Sequence, residues 1–431
     1  MFKTQVLILY VSDICNLNCS YCIWPKEKEV MISKNKHIRE FIENGRYFEN
    51  IRKNVDTSYI KQLDLWGGEP TMNFDIFIPA LKKHLNMFSS LETLSFSTNI
   101  SKHFTLSNII KFIEKFAPYY KLDIQLSLDG PPFINDEDRL GSSSKEISEN
   151  IFEFSKFLQN FKYNNNVHTD IKSTISARSM HKLADESNLY DYFSFFDSCW
   201  DKCQTPFAMS FVFPGDYSQE NGFEYAKITN NLLYKWPKKG IKFKHIRIPY
   251  EDQNVLHIAR TLEAIMRFKR RIYSGEFIAT SVCSVGDRRI AIDVDGNFRI
   301  CHGVFFFYDE LKSQHDMYMN YLKHNVIATS KMDKLRLLHN SVGIHNNVEF
   351  RIAYHQALAT ELVLSGQISR IYLKNKALLN MLAFVTSRHH CISDNITYTG
   401  DMMLIDASYL KLLGNGAFEL ISKYLGSKYD I

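Results

Sequence analysis

Three cysteines within eight residues, Cys15-Asn-Leu-Asn-Cys19-Ser-Tyr-Cys22, follow closely on the apolar run Val6-Leu7-Ile8-Leu9-Tyr10-Val11. A chain built this way has to fold so that a buried strand delivers three thiols to one loop. Six apolar residues are too few for a membrane span or a signal-peptide core, and no small-residue cleavage site follows. The run therefore reads as a strand, and the thiols are expected in a reducing, cytoplasmic setting. There, clustered cysteines point to a metal or to catalysis, not to disulfides. A four-iron cluster takes four ligands, commonly cysteines, so three close cysteines leave one iron open to a substrate or cofactor. A structural zinc would want a fourth Cys or His at compatible spacing, and none lies nearby.

Behind the triplet, short β-rich runs alternate with helical stretches, the pattern of βα units on a parallel sheet. Strands are expected near 5–11, 61–66, 92–98, 121–128, 168–176 and 206–213, and helices near 35–54, 73–90, 105–117, 144–162, 179–196 and 223–236. Such a series predicts an α/β fold, a partial or closed βα barrel with its chemistry at the C-terminal ends of the strands. Residues 241–272 read as a linking segment with one more helix, rich in Arg and Lys, and a domain boundary is expected near 273. Beyond it, Arg289–Val294 and Asn297–Ile300 flank Asp295-Gly296, a hairpin signal, and past 305 the pattern turns mostly helical. Charge is spread along the chain, 52 Lys and Arg against 47 Asp and Glu. No basic tract marks a nucleic-acid or membrane partner.

Further stretches stand at the ends of the expected strands: Trp66-Gly67-Gly68-Glu69-Pro70, Ser97-Thr98-Asn99, and Ser127-Leu128-Asp129-Gly130-Pro131 with Arg139 following. Glycines let backbone approach a ligand closely, although each stretch alone reads equally well as a turn. Late in the chain, Cys283 and Cys301 bracket the hairpin, His302 follows directly, and Cys391 comes after His389 and His390. Cys199 and Cys203 precede the strand at 206–213, at the opposite end of the sheet from the triplet, and read as two unligated thiols.

Taken in order, these residues resemble the radical S-adenosylmethionine (radical SAM) superfamily. In that family CxxxCxxC, here with Tyr21 before the last cysteine, binds a 4Fe-4S cluster whose open iron chelates SAM. One electron then breaks the sulfonium C–S bond and releases a 5′-deoxyadenosyl radical. The resemblance implies that Cys15, Cys19 and Cys22 hold that cluster. It implies SAM contacts at Tyr21, Gly67, Gly68, Glu69, Ser97, Asn99, Ser127 and Arg139, with Ile100 standing where the family often has glycine. The Cys283–Gly296–Cys301 spacing resembles the start of the SPASM and twitch extensions, which implies an auxiliary iron–sulfur cluster on Cys283, Cys301 and Cys391, with a histidine as a possible further ligand. The domains implied are a partial (βα)6 radical SAM barrel over 1–240, a linking helix over 241–272, and a SPASM/twitch-like module with a mostly helical tail over 273–431.

Enzymes of this layout usually modify ribosomally made peptides or proteins oxidatively, by crosslinks or related chemistry, drawing electrons from a donor such as flavodoxin or ferredoxin. His302 stands where sulfatase-maturing enzymes have Asp, which points to a peptide-crosslinking maturase. Many peptide maturases carry an N-terminal leader-gripping domain, for which no room is expected here, and single-cluster twitch enzymes often oxidise small molecules. A small-molecule dehydrogenase is thus the alternative. A non-catalytic iron–sulfur carrier is a third reading, with no use for the SAM-type motifs. His302 and Asp129 are the candidates for the base that takes the substrate's proton, histidine's unperturbed pKa near 6.5 suiting transfer near neutrality.

Overall fold

The computed structural model describes residues 4–22, 28–211, 218–231, 236, 239–241, 243, 289–293 and 296–299. They include ten strands and nine α-helices. In chain order these are β1 (Val6–Ser12), β2 (Asn18–Cys19), α1 (Lys28–Glu43), α2 (Arg46–Asn54), β3 (Gln62–Gly67), α3 (Phe74–His84), β4 (Thr93–Thr98) and α4 (His103–Phe116). Then come β5 (Lys121–Ser127), α5 (Pro132–Asp138), β6 (Arg139–Leu140), α6 (Ser144–Asn160), β7 (Val167–Ile175), α7 (Ala177–Leu183), α8 (Glu186–Cys203), β8 (Phe207–Phe211), α9 (Gln219–Asn230), β9 (Arg289–Ile292) and β10 (Phe298–Arg299).

The described residues within 4–176, 191–211 and 289–299 form one compact unit, and those within 177–190 and 218–243 belong to a second. The first unit is an α/β fold on one sheet, in the order β10-β9-β1-β3-β4-β5-β7-β8. From β1 to β8 each strand is parallel to the one before it in that order. β1 is buried along nearly its whole length, as a continuous apolar run in a covered parallel sheet should be. Across β4, β5 and β7 the side chains alternate instead. Leu94, Phe96, Leu122, Ile124, Leu126 and Ile171 are buried, and the other face carries Ser97, Asp123, Gln125, Ser127, Asp170 and Lys172.

The apolar face is covered by helices whose own apolar positions recur at three-to-four spacing. Phe74 of α3, Phe96 of β4 and Phe112 of α4 make edge-on and stacked contacts at centroid distances of 5.0–5.3 Å. Such pairs contribute about 0.5–1.5 kcal/mol beyond their buried area. The polar face is linked by side-chain hydrogen bonds. Ser97 Oγ donates to Gln125 Oε1 at 3.2 Å, and Gln125 Nε2 donates to Asp170 Oδ2 at 3.4 Å. His168 Nδ1 lies 2.9 Å from Asp123 Oδ1.

All six expected strands are present, and the helix expectations need two corrections. The helix expected over 35–54 begins at Lys28 and breaks into α1 and α2 at Gly45, whose φ of 77° turns the chain left-handed. The helix expected over 179–196 is two helices, α7 and α8. Asp185 Oδ1 accepts from the Ser187 and Asn188 amides and so caps α8, which runs on to Cys203. Helix α9 begins at Gln219, capped by Ser218, and ends at Asn230.

The expected hairpin is β9–β10, with Ile292 opposite Phe298. β9 also pairs in parallel with β1, Val6 opposite Arg289, a pairing that periodicity alone does not predict. In the second unit, the Asn221 amide donates to Ala177 O and to Glu224 Oε2. No helix among the described residues is long and apolar enough to cross a membrane.

The junction of β1 and β3 is closely packed. Gly67 has φ 152°, and a Cβ there would lie 2.2 Å from Ser12 O. Gly67→Ala is therefore expected to cost about 3 kcal/mol by overpacking and strain. Gly45→Ala, whose Cβ meets nothing within 4 Å, should cost about 1 kcal/mol of left-handed strain alone. Urea denaturation of the two variants separates these values, and equal losses would mean that the Ser12 contact relaxes.

Candidate functional site

The three cysteines lie between the end of β1 and α1, at the C-terminal edge of the sheet. Two backbone bonds hold the start of this loop against the Gly-Gly-Glu-Pro segment. Gly68 N donates to Ser12 O at 2.9 Å, and Glu69 N donates to Ile14 O at 2.8 Å. A Cβ on Gly68 would lie 2.6 Å from Ile14 O, so the approach requires glycine.

The Glu69 carboxylate is buried and accepts four hydrogen bonds, from Thr71 N and Oγ1, Thr98 Oγ1 and Asn99 N. Burial pushes its pKa up and these donors pull it back. Asn99, thus fixed, donates from Nδ2 to Asn16 Oδ1 at 2.8 Å and reaches Cys15 Sγ at 3.6 Å. Its Oδ1 accepts from Ser101 N and Oγ. A relay of polar contacts thereby runs from the ends of β3 and β4 to the first cysteine.

The far end of the loop is tied down separately. Cys19 pairs with Arg139 in the short β2–β6 ladder. Ser20 N and Oγ donate to Asp138 O and Oδ1 at 2.8 and 2.7 Å. Tyr21 Oη donates to Asp129 Oδ2 at 2.5 Å, and Arg139 Nε makes an ion pair with the same oxygen at 2.9 Å. Asp129 Oδ1 accepts from Thr174 N at 2.9 Å. The carboxylate is fully buried, with both oxygens engaged. Burial raises its pKa, opposed by Arg139 and Tyr21, and the carboxylate in turn holds Arg139 charged against burial. We read the pair as ionised.

Of the residues singled out in the sequence, Cys15, Gly67, Gly68, Glu69 and Asn99 belong to the first of these networks, and Cys19, Tyr21, Asp129 and Arg139 to the second. Ser97 and Ser127 lie on the adjoining polar face, Ser97 exposed and Ser127 in register with Lys172 on β7. Cys283, Cys301, His302, His389, His390 and Cys391 lie outside the described residues. Asn16, Ser101 and Asp138 were not singled out. Asn16 sits inside the cysteine motif, and that position was its only sequence signal. Cys199 and Cys203 are buried on α8, with Cys203 Sγ donating to Cys199 O at 2.9 Å. Burial pushes Cys199 up to about 12.

The donor set suits an iron–sulfur cluster. Cys15, Cys19 and Cys22 are free thiols, one half-buried, one buried and one exposed. Burial pushes Cys15 up to about 12 and Cys19 to about 11. Bare thiolates are thus disfavoured at this point, and a metal that replaces the protons supplies the charge they lack.

Comparison with known proteins agrees with this reading. Residues 4–150 match the family described as a 4Fe-4S single cluster domain. A cysteine-type anaerobic sulfatase-maturating enzyme of Clostridium novyi (strain NT) is 26% identical over 270 residues, 58% of this chain and 64% of that protein. The radical SAM cyclopropyl synthase TigE of Paramaledivibacter caminithermalis is 26% identical over 172 residues, 38% of this chain and 34% of that protein. The chain thus spans less than two thirds of either relative. Among solved structures, Streptococcus suis SuiB bound to precursor peptide SuiA aligns with a TM-score of 0.41 and 12% identity, over 71% of this chain and 61% of that one. The chain is similar to radical SAM enzymes, and its residues 4–150 are similar to a 4Fe-4S single cluster domain.

Replacing Glu69 with Gln turns an amide N–H₂ toward a backbone N–H that cannot accept, Asn99 N in one orientation of the amide and Thr71 N in the other. Glu69→Gln is expected to cost about 2 kcal/mol and to reduce iron uptake on anaerobic reconstitution. Full iron content at wild-type stability would mean that the relay to Cys15 is dispensable.

Proposed function

We propose that this chain is a radical SAM enzyme that oxidatively modifies a side chain of a ribosomally made peptide or protein. The observation that carries the reading is the Cys15–Cys22 loop held against the Gly67-Gly68 backbone. In this proposal the parallel sheet is a partial (βα)6 barrel over 1–240, followed by a linking helix and, over 273–431, a SPASM/twitch-like module. Bound iron–sulfur groups would supply the electron that cleaves SAM to methionine and a 5′-deoxyadenosyl radical, and would accept the electron lost by the substrate.

The chain's own residues have separable tasks. Cys15, Cys19 and Cys22 would ligate the first cluster, and Cys283, Cys301 and Cys391 an auxiliary one. Gly67 and Gly68 carry no side chain, so their backbone carbonyls would accept from the SAM amino group, with Ser97, Asn99 and Ser127 beside it. His302, next to Cys301, would take the proton released as the substrate radical is oxidised. Asp129 is the weaker candidate for that task, because its oxygens already serve Tyr21, Arg139 and Thr174. The electron would come from a flavodoxin- or ferredoxin-like donor in the cytoplasm.

The similarity to a sulfatase-maturating enzyme supports a protein substrate. A small-molecule substrate oxidised by the same steps is the second reading, favoured by the single auxiliary cysteine set.

With dithionite, the anaerobically reconstituted protein should release 5′-deoxyadenosine, and the Cys15/Cys19/Cys22→Ala triple variant should release none. A triple variant that still cleaves SAM would overturn the ligand assignment. That variant should retain about four irons, one auxiliary cluster, and lose them when Cys283 and Cys301 are also replaced. About eight retained irons would instead assign ligand roles to Cys199 and Cys203. His302→Ala should keep deoxyadenosine release and lose product, and equal loss of both would argue against a proton-transfer role.

A further inference from the structure

Arg139 is held where its charge can act on a cluster ligand. Its backbone pairs with that of Cys19, and its side chain is buried. The guanidinium lies 5.9 Å from the centre of the Tyr21 ring and pairs with Asp129 at 2.9 Å. Asp129 in turn is fixed by Tyr21 Oη, Thr174 N and, at its own amide, Asn135 Oδ1. Water is largely excluded from this pair, so its charges are screened much less than surface charges. Burial acts most strongly on Cys19, and beside it Arg139 favours a thiolate while Cys22, Asp129 and Asp138 oppose one.

A buried ion pair is weak grounds for stability, because desolvation offsets most of the attraction. Its placement beside a cysteine of the loop gives it another use. We propose that Asp129 and Arg139 together set the electrostatic field at Cys19, and so the reduction potential of the cluster bound by Cys15, Cys19 and Cys22. Asp129 is then a positioning residue that also balances charge: it orients Tyr21 and Arg139, and it offsets the positive charge that Arg139 would otherwise direct at the cluster. The inference rests on the reading of those three cysteines as cluster ligands.

The signs follow from charge alone. Reduction adds an electron, so a nearby positive charge raises the potential and a nearby negative charge lowers it. Asp129→Asn leaves Arg139 uncompensated and should move the potential up. Arg139→Gln leaves Asp129 uncompensated and should move it down. The neutral double variant should fall between the two, close to wild type. A merely structural pair, broken from either side, would loosen the loop in the same way and move the potential in one direction.

The test is a redox titration of the reconstituted cluster by electron paramagnetic resonance in wild type, both single variants and the double variant, with iron content measured on each sample. Opposite shifts at full iron content are expected. Unchanged potentials, or shifts of one sign, would overturn the inference. If Asp129→Asn does not fold, adding it to Arg139→Gln reads the same effect, and the double variant must then lie above Arg139→Gln. A wild-type protein that takes up no cluster would instead overturn the underlying ligand reading, so the two failures are distinguishable.

Discussion

Much of the site hangs on the carboxylate of Glu69. It is buried at the end of β3 and receives two backbone amides and two hydroxyls. Two of those donors, Thr98 and Asn99, belong to the end of β4, so one side chain locks two neighbouring strand ends together. Its own amide is bonded to Ile14 O, one residue before the first cysteine. An ionised carboxylate is suited to this place, because it only accepts. Four donors around one buried acceptor leave no unsatisfied group on either side, which is the condition under which a buried polar network rigidifies rather than destabilises. The position of Cys15 then follows from the strand ends, through Asn99 and Asn16.

The second half of the loop depends on different elements. Cys19 and Tyr21 are tied to β6 and to the end of β5, not to β3 or β4. The loop is thus gripped at two places by two polar networks, one centred on Glu69 and the other on Asp129. None of the bonds in either network involves the Phe74, Phe96 or Phe112 side chains of the apolar face. This separation lets the potential at Cys19 be adjusted without rebuilding the core.

The sheet was legible because its strands are short apolar or alternating runs separated by helical periodicity, and β1, β3, β4, β5, β7 and β8 lie within a few residues of their expected bounds. What was not legible was local or distant. Gly45 separates α1 from α2 through one residue's conformation, and Asp185 starts α8 through one side chain's capping bonds, signals too small to alter a periodicity spanning both sides. The parallel pairing of β9 with β1 joins residues nearly the whole described chain apart, and nothing in either run names its partner. In the site, Arg139 is expected as a SAM contact and Asp129 as a candidate base. That the two form a buried ion pair, with the backbone of Arg139 held beside Cys19 by a ladder two residues long, is a tertiary contact that no pattern reveals.

Ile100 shows how strongly the geometry around Asn99 is imposed. It has φ 43°, in the left-handed region, where a β-branched residue is strained by about 1–3 kcal/mol. Glycine would adopt the same turn without that cost, and glycine often stands here in the family the motifs resemble. The isoleucine side chain is wholly buried, which returns about 1.5–3 kcal/mol relative to leaving it exposed. The two magnitudes nearly cancel, so the chain can hold an unfavourable backbone angle at little net cost. Two further bonds fix the turn, from Ile100 N to Thr98 Oγ1 and from Asn150 Nδ2 to Ile100 O. Ile100 thus places a buried apolar side chain directly beside Asn99, whose side chain reaches Asn16 and Cys15.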